Sequence, residues 1–197
     1  MLQKHSLRNH KIPYKEPKNS KDSVLVCCGD ESNHGGIKNE YGEVVVVTFS
    51  QNTEDFTQIN FQNKRDYNLA QQWLKNNLRD YLFTVLIGPH FKHTYSNLPF
   101  AVPRLVDEYL TRKNLHPSKI GIFVDGELRR DDLIELKKHY KKISKIHVRG
   151  VRKEKSNGKE IIYCPPGLFV ADNLSNKLFN SKISLETLLK DSRFVAI

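Results

Sequence analysis

The hydrophobic pattern begins abruptly at residue 24. Before it, 1–23 is polar, carries Pro13 and Pro17 and buries no face, so it reads as a loose basic arm ahead of a single domain over 24–197. The run "VLVCCG" (24–29) is apolar at consecutive positions, as a strand buried on both faces requires. "GEVVVVTFS" (42–50) and "FTQINF" (56–61) are β-branched and aromatic runs joined by a polar turn, which predicts an antiparallel continuation. "RDYNLAQQWLKNNL" (65–78) brings Tyr67, Ala70, Trp73 or Leu74, and Leu78 to one face of a helix. "YLFTVLIG" (81–88) is a further strand. A helix is expected over 101–113 with Pro103 near its start, where the missing N–H costs nothing.

The second half alternates. "KIGIFVDGE" is a short buried strand ending at Asp125. "DDLIELKKHYKKI" (131–143) is a helix with an acidic first turn and a basic last turn, as the helix dipole prefers. "SKIHVRGV" (144–151) is another strand. "GLFVADNLSNKLF" (167–179) is a helix following Pro165 and Pro166, and "SLETLLKD" (184–191) is a last short helix capped by Ser184. A β-meander followed by alternating helices and strands predicts an α/β fold: a mixed sheet with helices on both faces.

Composition narrows the partners. The chain has 197 residues, 38% hydrophobic and 27% charged, with a formal net charge of +10 and a pI near 9.5. That charge points to a polyanion, chiefly nucleic acid, DNA or RNA. It is concentrated: Lys137, Lys138, Lys141, Lys142, Lys145, Arg149, Arg152, Lys153, Lys155 and Lys159 fall in one segment against Glu154 alone. No apolar run approaches a membrane span and 1–23 has no apolar signal core, so a cytoplasmic protein is expected. Three cysteines make neither a disulfide framework nor a zinc site, and Cys27 and Cys28 read as small core residues. His90 and His93 lack the partners a zinc site needs, and His34 reads as a loop histidine near the acids.

Against this positive background, three acids break the hydrophobic pattern. Asp30, with Glu31 beside it, follows the first strand, Asp125 follows "KIGIFV", and Asp172 lies four residues after Leu168 on the border of its helix's apolar face. Ala171 and Ser175 are small enough to let that helix approach the sheet. If Asp30 and Asp125 end neighbouring parallel strands, both emerge at the carboxyl edge of the sheet, where α/β proteins place their sites. Carboxylates gathered there repel, and hard cations such as Mg²⁺ or Mn²⁺ relieve the repulsion. Two ions about 4 Å apart activate a water and stabilise the leaving oxygen of a phosphodiester. Successive strand residues face opposite sides, so Glu31 joins Asp30 only if the chain bends at Gly29 or just after Asp30.

"CGDES", "FVDGE" and "LFVADNLSNKL" together resemble the RNase H-like superfamily of two-metal nucleases. They are most similar to type 2 ribonucleases H and to an uncharacterised family with an Asp-Glu-Ser start and an Ala-Asp helix. The "VDG" strand and "CPPG" also echo the nuclease lobe of Argonautes. The resemblance, over about 24–179, implies a five-stranded RNase H-like sheet and a metal-dependent hydrolase. It implies catalytic and metal-binding roles for Asp30, Asp125 and Asp172 with two Mg²⁺ or Mn²⁺ ions, and Glu31 as the fourth ligand. Asp107 or Glu108 is the alternative fourth acid. "SNHGG" (32–36) replaces the Gly-Arg-Gly element of type 2 ribonucleases H, which leaves the substrate open. Lys138, Lys141, Lys142, Lys145, Arg149, Arg152, Lys153 and Lys155 are the expected backbone contacts. The competing reading is a non-catalytic nucleic-acid-binding module on the same fold. A PIN-type nuclease is disfavoured by the antiparallel hairpin expected after the first strand.

Overall fold

A computed structural model describes residues 24–32, 43–51, 59–60, 72, 80–86, 97–125, 129–141, 145–150, 152–156, 159–181 and 184–197. In chain order its strands are β1 (Val24–Ser32), β2 (Glu43–Ser50), β3 (Ile59–Asn60), β4 (Tyr81–Leu86), β5 (Lys119–Val124), β6 (Lys145–Gly150), β7 (Arg152–Ser156) and β8 (Lys159–Cys164). Its helices are α1 (Leu98–Lys113), α2 (Arg130–His139), α3 (Pro166–Asn180) and α4 (Leu185–Leu189). Of the helix expected over 65–78 only residue 72, which is helical, is described, and the arm over 1–23 lies outside the described residues.

The main sheet is mixed and runs β4–β2–β1–β5–β6. β1 sits at its centre, antiparallel to β2 and parallel to β5. β2 pairs antiparallel with β4, and β5 pairs parallel with β6. Strand alternation divides the core between two faces. On one face Leu25, Cys27, Val45, Val47, Phe49, Ile120 and Ile122 meet Ala101, Val102, Leu105, Val106 and Tyr109 of α1. Those α1 residues recur at helical spacing, and Tyr109 stacks flat on Phe49 at 3.8 Å. On the other face Val44, Val46 and Phe83 meet Val170 and Leu174 of α3, while Val24, Val26, Cys28 and Phe123 meet Leu168. α2 joins the α1 side, where the Tyr140 hydroxyl donates to the Pro103 carbonyl at 3.1 Å.

Several expectations are corrected. The strand expected over 56–61 does not continue the meander: its described part, β3, pairs with β8, and the second antiparallel neighbour of β2, after β1, is β4. β4 is six buried residues in a row, so both of its faces are covered although it is the last strand in the order. A second sheet, β3–β8–β7, was not foreseen. Its β7–β8 pairing runs out to Ser156–Lys159, and the sequence between those two residues is Asn-Gly, a strong two-residue turn signal that lay unused in a charged stretch. β1 extends to Ser32 rather than stopping at Gly29, because β2 runs on beside it through Ser32–Val44. α1 starts at Leu98, with Pro99 in its first turn, and ends on Asn114 in the left-handed conformation. The chain end is also structured: Phe83 donates to the Arg193 carbonyl and accepts from the Val195 N–H, so the tail lines the β4 edge.

Candidate functional site

The acids are placed by register. β1 and β5 pair last at Gly29–Val124, and the Asp125 N–H then donates to the Gly29 carbonyl at 3.2 Å. Asp30 and Asp125 therefore lie side by side, one step past the last parallel pair. Along β1 the even positions Val24, Val26 and Cys28 face α3, and Asp30 continues that series. α3 brings Asp172 over the same face. Its first turn lies unusually close to the sheet: a Cβ on Gly167 would stand 2.9 Å from the Cys28 sulfur and 3.0 Å from the Thr48 hydroxyl oxygen. Thr48 anchors the approach by donating to the Gly167 carbonyl at 3.0 Å. Ala171 and Ser175 are fully buried beneath the helix, as the small residues suggested.

Asp30 is 2% exposed, while Asp125 and Asp172 are exposed. Burial is the largest of the effects that push the Asp30 carboxyl up to about 8, and the Asp125 charge is the next. The Glu31 N–H donates to its Oδ1 at 2.8 Å and opposes the rise, while the charges of Asp172 and Glu31 add to it. Asp125, Asp172 and Glu31 thus all act on one buried carboxyl. Asp172 is itself steadied by Asn176, whose Nδ2 donates to its Oδ1 at 2.6 Å.

Glu31 is not on that face. No bend occurs at Gly29, so Glu31 takes the odd positions' direction, toward α1. There its Oε2 accepts the Asn97 backbone N–H at 3.2 Å, at the positive end of α1. Beside it is an acid that sequence reasoning missed. Glu43 is 7% exposed, and its Oε2 accepts from Asn97 Nδ2 at 2.9 Å. Burial first, then the hydrogen bond and charge of Glu31, push its carboxyl up to about 9, with the Asn97 bond opposing. Among the described residues the buried Glu43 Oε1 has no donor, which a proton on Glu43 directed at Glu31 would resolve. The signal was present: Glu43 shares strand parity with Val45, Val47 and Phe49, all core residues.

The alternative acids do not join the cluster. Asp107 pairs with His139 at 2.6 Å and Glu108 with Arg112 at 2.7 Å. Of the basic residues, Lys138 and Lys141 are exposed at and after the end of α2. Lys145 and Arg149 lie on β6, and Arg152, Lys153 and Lys155 on β7. Lys142, His34, His90 and His93 lie outside the described residues.

Asp30, Asp125 and Asp172 offer only hard oxygen donors, the chemistry that suits Mg²⁺ or Mn²⁺. The like charges around Asp30 are a repulsion that a divalent cation would relieve. Among the described residues no three acidic, histidine or cysteine side chains already stand close enough to form a metal cage. The donor set fits the ions; the carboxylates would have to close on them. Among the described residues no helix is long and apolar enough to cross a membrane.

No family model matches the chain, and no curated protein matches it. Among solved structures it is similar to a chain in the PCNA:RNase HII complex from Archaeoglobus fulgidus, at 12% identity and TM-score 0.41, covering 88% of this chain and 83% of that one. It is also similar to the C-terminal lobe of a budding yeast Argonaute, at 16% identity and TM-score 0.33, over 76% of this chain and 27% of that one. Kluyveromyces polysporus Argonaute with a guide RNA matches at 15% identity and TM-score 0.33, over 16% of its length.

Proposed function

We propose that this protein is a metal-dependent nuclease that hydrolyses phosphodiester bonds of DNA or RNA on a five-stranded RNase H-like sheet. Asp30, Asp125 and Asp172 are its metal-binding and catalytic carboxylates. The observation that supports this reading is the buried Asp30 carboxyl, held up near 8 by burial and by its acidic neighbours at the edge of a mixed sheet. Such a cluster is costly unless a cation or proton occupies it. When bound, a pair of Mg²⁺ or Mn²⁺ ions supplies water activation and stabilisation of the leaving oxygen. Asp30 and Asp125 hold fixed positions because adjacent strands set them. Asp172 arrives on a helix, so its distance from the other two depends on how closely α3 packs. Lys138, Lys141, Lys142, Lys145, Arg149, Arg152, Lys153 and Lys155 then track the phosphate backbone, which carries the sequence-independent part of the affinity. In this arrangement Glu31 is not a direct ligand but supports Asp30 through its N–H.

The test is cleavage of labelled single strands, duplexes and RNA–DNA hybrids with Mg²⁺ or Mn²⁺, beside Asp30→Asn. Metal-dependent cleavage that Asp30→Asn abolishes, with binding largely spared, is the expected result. Undiminished cleavage by a clean Asp30→Asn preparation would sink the assignment. Salt-sensitive binding with no cleavage under any metal would establish the non-catalytic module instead.

A further inference from the structure

We propose that Glu43, together with Asn97, is a positioning residue for the site: it fixes Glu31, and through Glu31 the Asp30 carboxyl. The inference rests on the metal-site reading above and adds to it a residue on the opposite face of the sheet. The bonds form an unbroken series. Asn97 Nδ2 donates to Glu43 at 2.9 Å, the Asn97 N–H donates to the Glu31 carboxylate at 3.2 Å, and the Glu31 N–H donates to Asp30 Oδ1 at 2.8 Å. Asn97 is the hinge of this series, since it bonds both glutamates and opens α1.

Three features argue that the series has a role beyond packing. Glu43 is an acid among Val44, Val45, Val46 and Val47, each fully buried, where an apolar residue would cost far less. Among the described residues no donor reaches its buried Oε1, and its other neighbour is the Glu31 carboxylate, an arrangement that favours a protonated Glu43. The group it addresses is the residue next to Asp30, on the strand that carries the site. A partly satisfied polar network in a core is costly, and a buried polar atom without a partner calls for a specific explanation. Residues that orient metal-binding carboxylates in this way typically change metal affinity by about 10–100-fold when removed.

Glutamine is the informative replacement. In Glu43→Gln the amide nitrogen donates to Glu31 and the amide oxygen still accepts from Asn97, so the series survives. In Glu43→Ala both bonds are lost. Two readouts separate the proposal from a packing role. In the metal-free protein, amide exchange reports directly on the Asn97 N–H. It is expected to stay protected in wild type and Glu43→Gln and to lose protection in Glu43→Ala, relative to amides of β1 in the same sample. Calorimetric titration with Mn²⁺ is expected to give a dissociation constant in Glu43→Gln within a few-fold of wild type. In Glu43→Ala it should be at least about tenfold weaker. If Glu43→Ala does not fold, Asn97→Ala replaces it with the same expectation for Mn²⁺. Unchanged Mn²⁺ affinity in folded Glu43→Ala or Asn97→Ala would overturn the proposal, as would an Asn97 amide indifferent to Glu43→Ala. A wild-type protein that takes up no Mn²⁺ would instead refute the metal-site reading, and amide exchange would then decide the positioning role alone.

Discussion

At the residue scale, Asp30 makes the sharpest predictions, because burial and like charge act on it together. Its folded carboxyl titrates near 8, against roughly 3.9 in an unfolded chain. Between those values the native state holds a proton that the unfolded state has released. Stability of the metal-free protein therefore falls as pH rises from about 4 to about 8, and Asp30 contributes no further slope above that. Glu43 adds a slope of the same sign that continues to about 9. Melting temperatures in a chelator at pH 5 and pH 8 should thus differ, with the lower value at pH 8. Asp30→Asn should raise the pH 8 value and flatten the difference, leaving the part due to Glu43. An unaltered slope would show that Asp30 ionises normally. Protons and cations compete for the same carboxyl, so the stabilisation by 10 mM Mg²⁺ should be larger at pH 8 than at pH 5. Binding to the native state alone raises stability as the ratio of ion concentration to dissociation constant grows. Differential scanning fluorimetry with and without Mg²⁺ at the two pH values reads this directly.

At the scale of elements, the site depends on how closely α3 lies on the sheet. Gly167 leaves no room for a methyl group against Cys28 and Thr48, both buried. Gly167→Ala should cost about 1–3 kcal/mol as the helix is levered outward. It should also lower cleavage, since Asp172 rides on the same helix five residues on. Thr48→Val, which removes the hydroxyl bond to the Gly167 carbonyl, should cost about 1 kcal/mol. Urea denaturation measures both, and equal stability in Gly167→Ala and wild type would show that α3 has slack. The same elements explain what was legible in the sequence. Asp30, Asp125 and Asp172 were singled out because each interrupts an apolar pattern, and parallel pairing of β1 with β5 sets the first two side by side. Glu31 was read as a ligand through its resemblance to a motif, yet strand alternation alone already sent it to the α1 side. Glu43 was hidden because one acid at the head of four valines looks like a strand end, and only the pairing of β2 with β1 shows what it faces. The β7–β8 hairpin was missed for a different reason. Its charges masked the alternation, and strand order is a long-range property that no local window of sequence contains.

At the scale of the whole molecule, the decisive feature is a formal charge of +10 carried by a chain whose candidate site is acidic. A polyanion attracted by the surface would be repelled by Asp30 and its neighbours unless cations intervene, so binding and catalysis should respond differently to ions. Binding should weaken steeply with monovalent salt, through release of counterions from the nucleic acid. Lys138 and Lys141 are exposed residues of the basic segment, at and after the end of α2, at least 13 residues along the chain from each of the three aspartates. If both contact phosphate as proposed, replacing them with glutamine removes two such contacts. The slope of log affinity against log salt should then become shallower by roughly 1.8 on a duplex or about 1.4 on a single strand. The maximal cleavage rate at saturating substrate should be unchanged, because neither lysine belongs to the carboxylate site. Fluorescence anisotropy across a salt series, run beside single-turnover cleavage, separates the two effects. A shallower slope with an intact rate places the polyanion along α2 and leaves the chemistry with the acids. A slope that does not move places the contacts elsewhere on the basic surface, and a rate that collapses means that α2 feeds the substrate strand directly into the site.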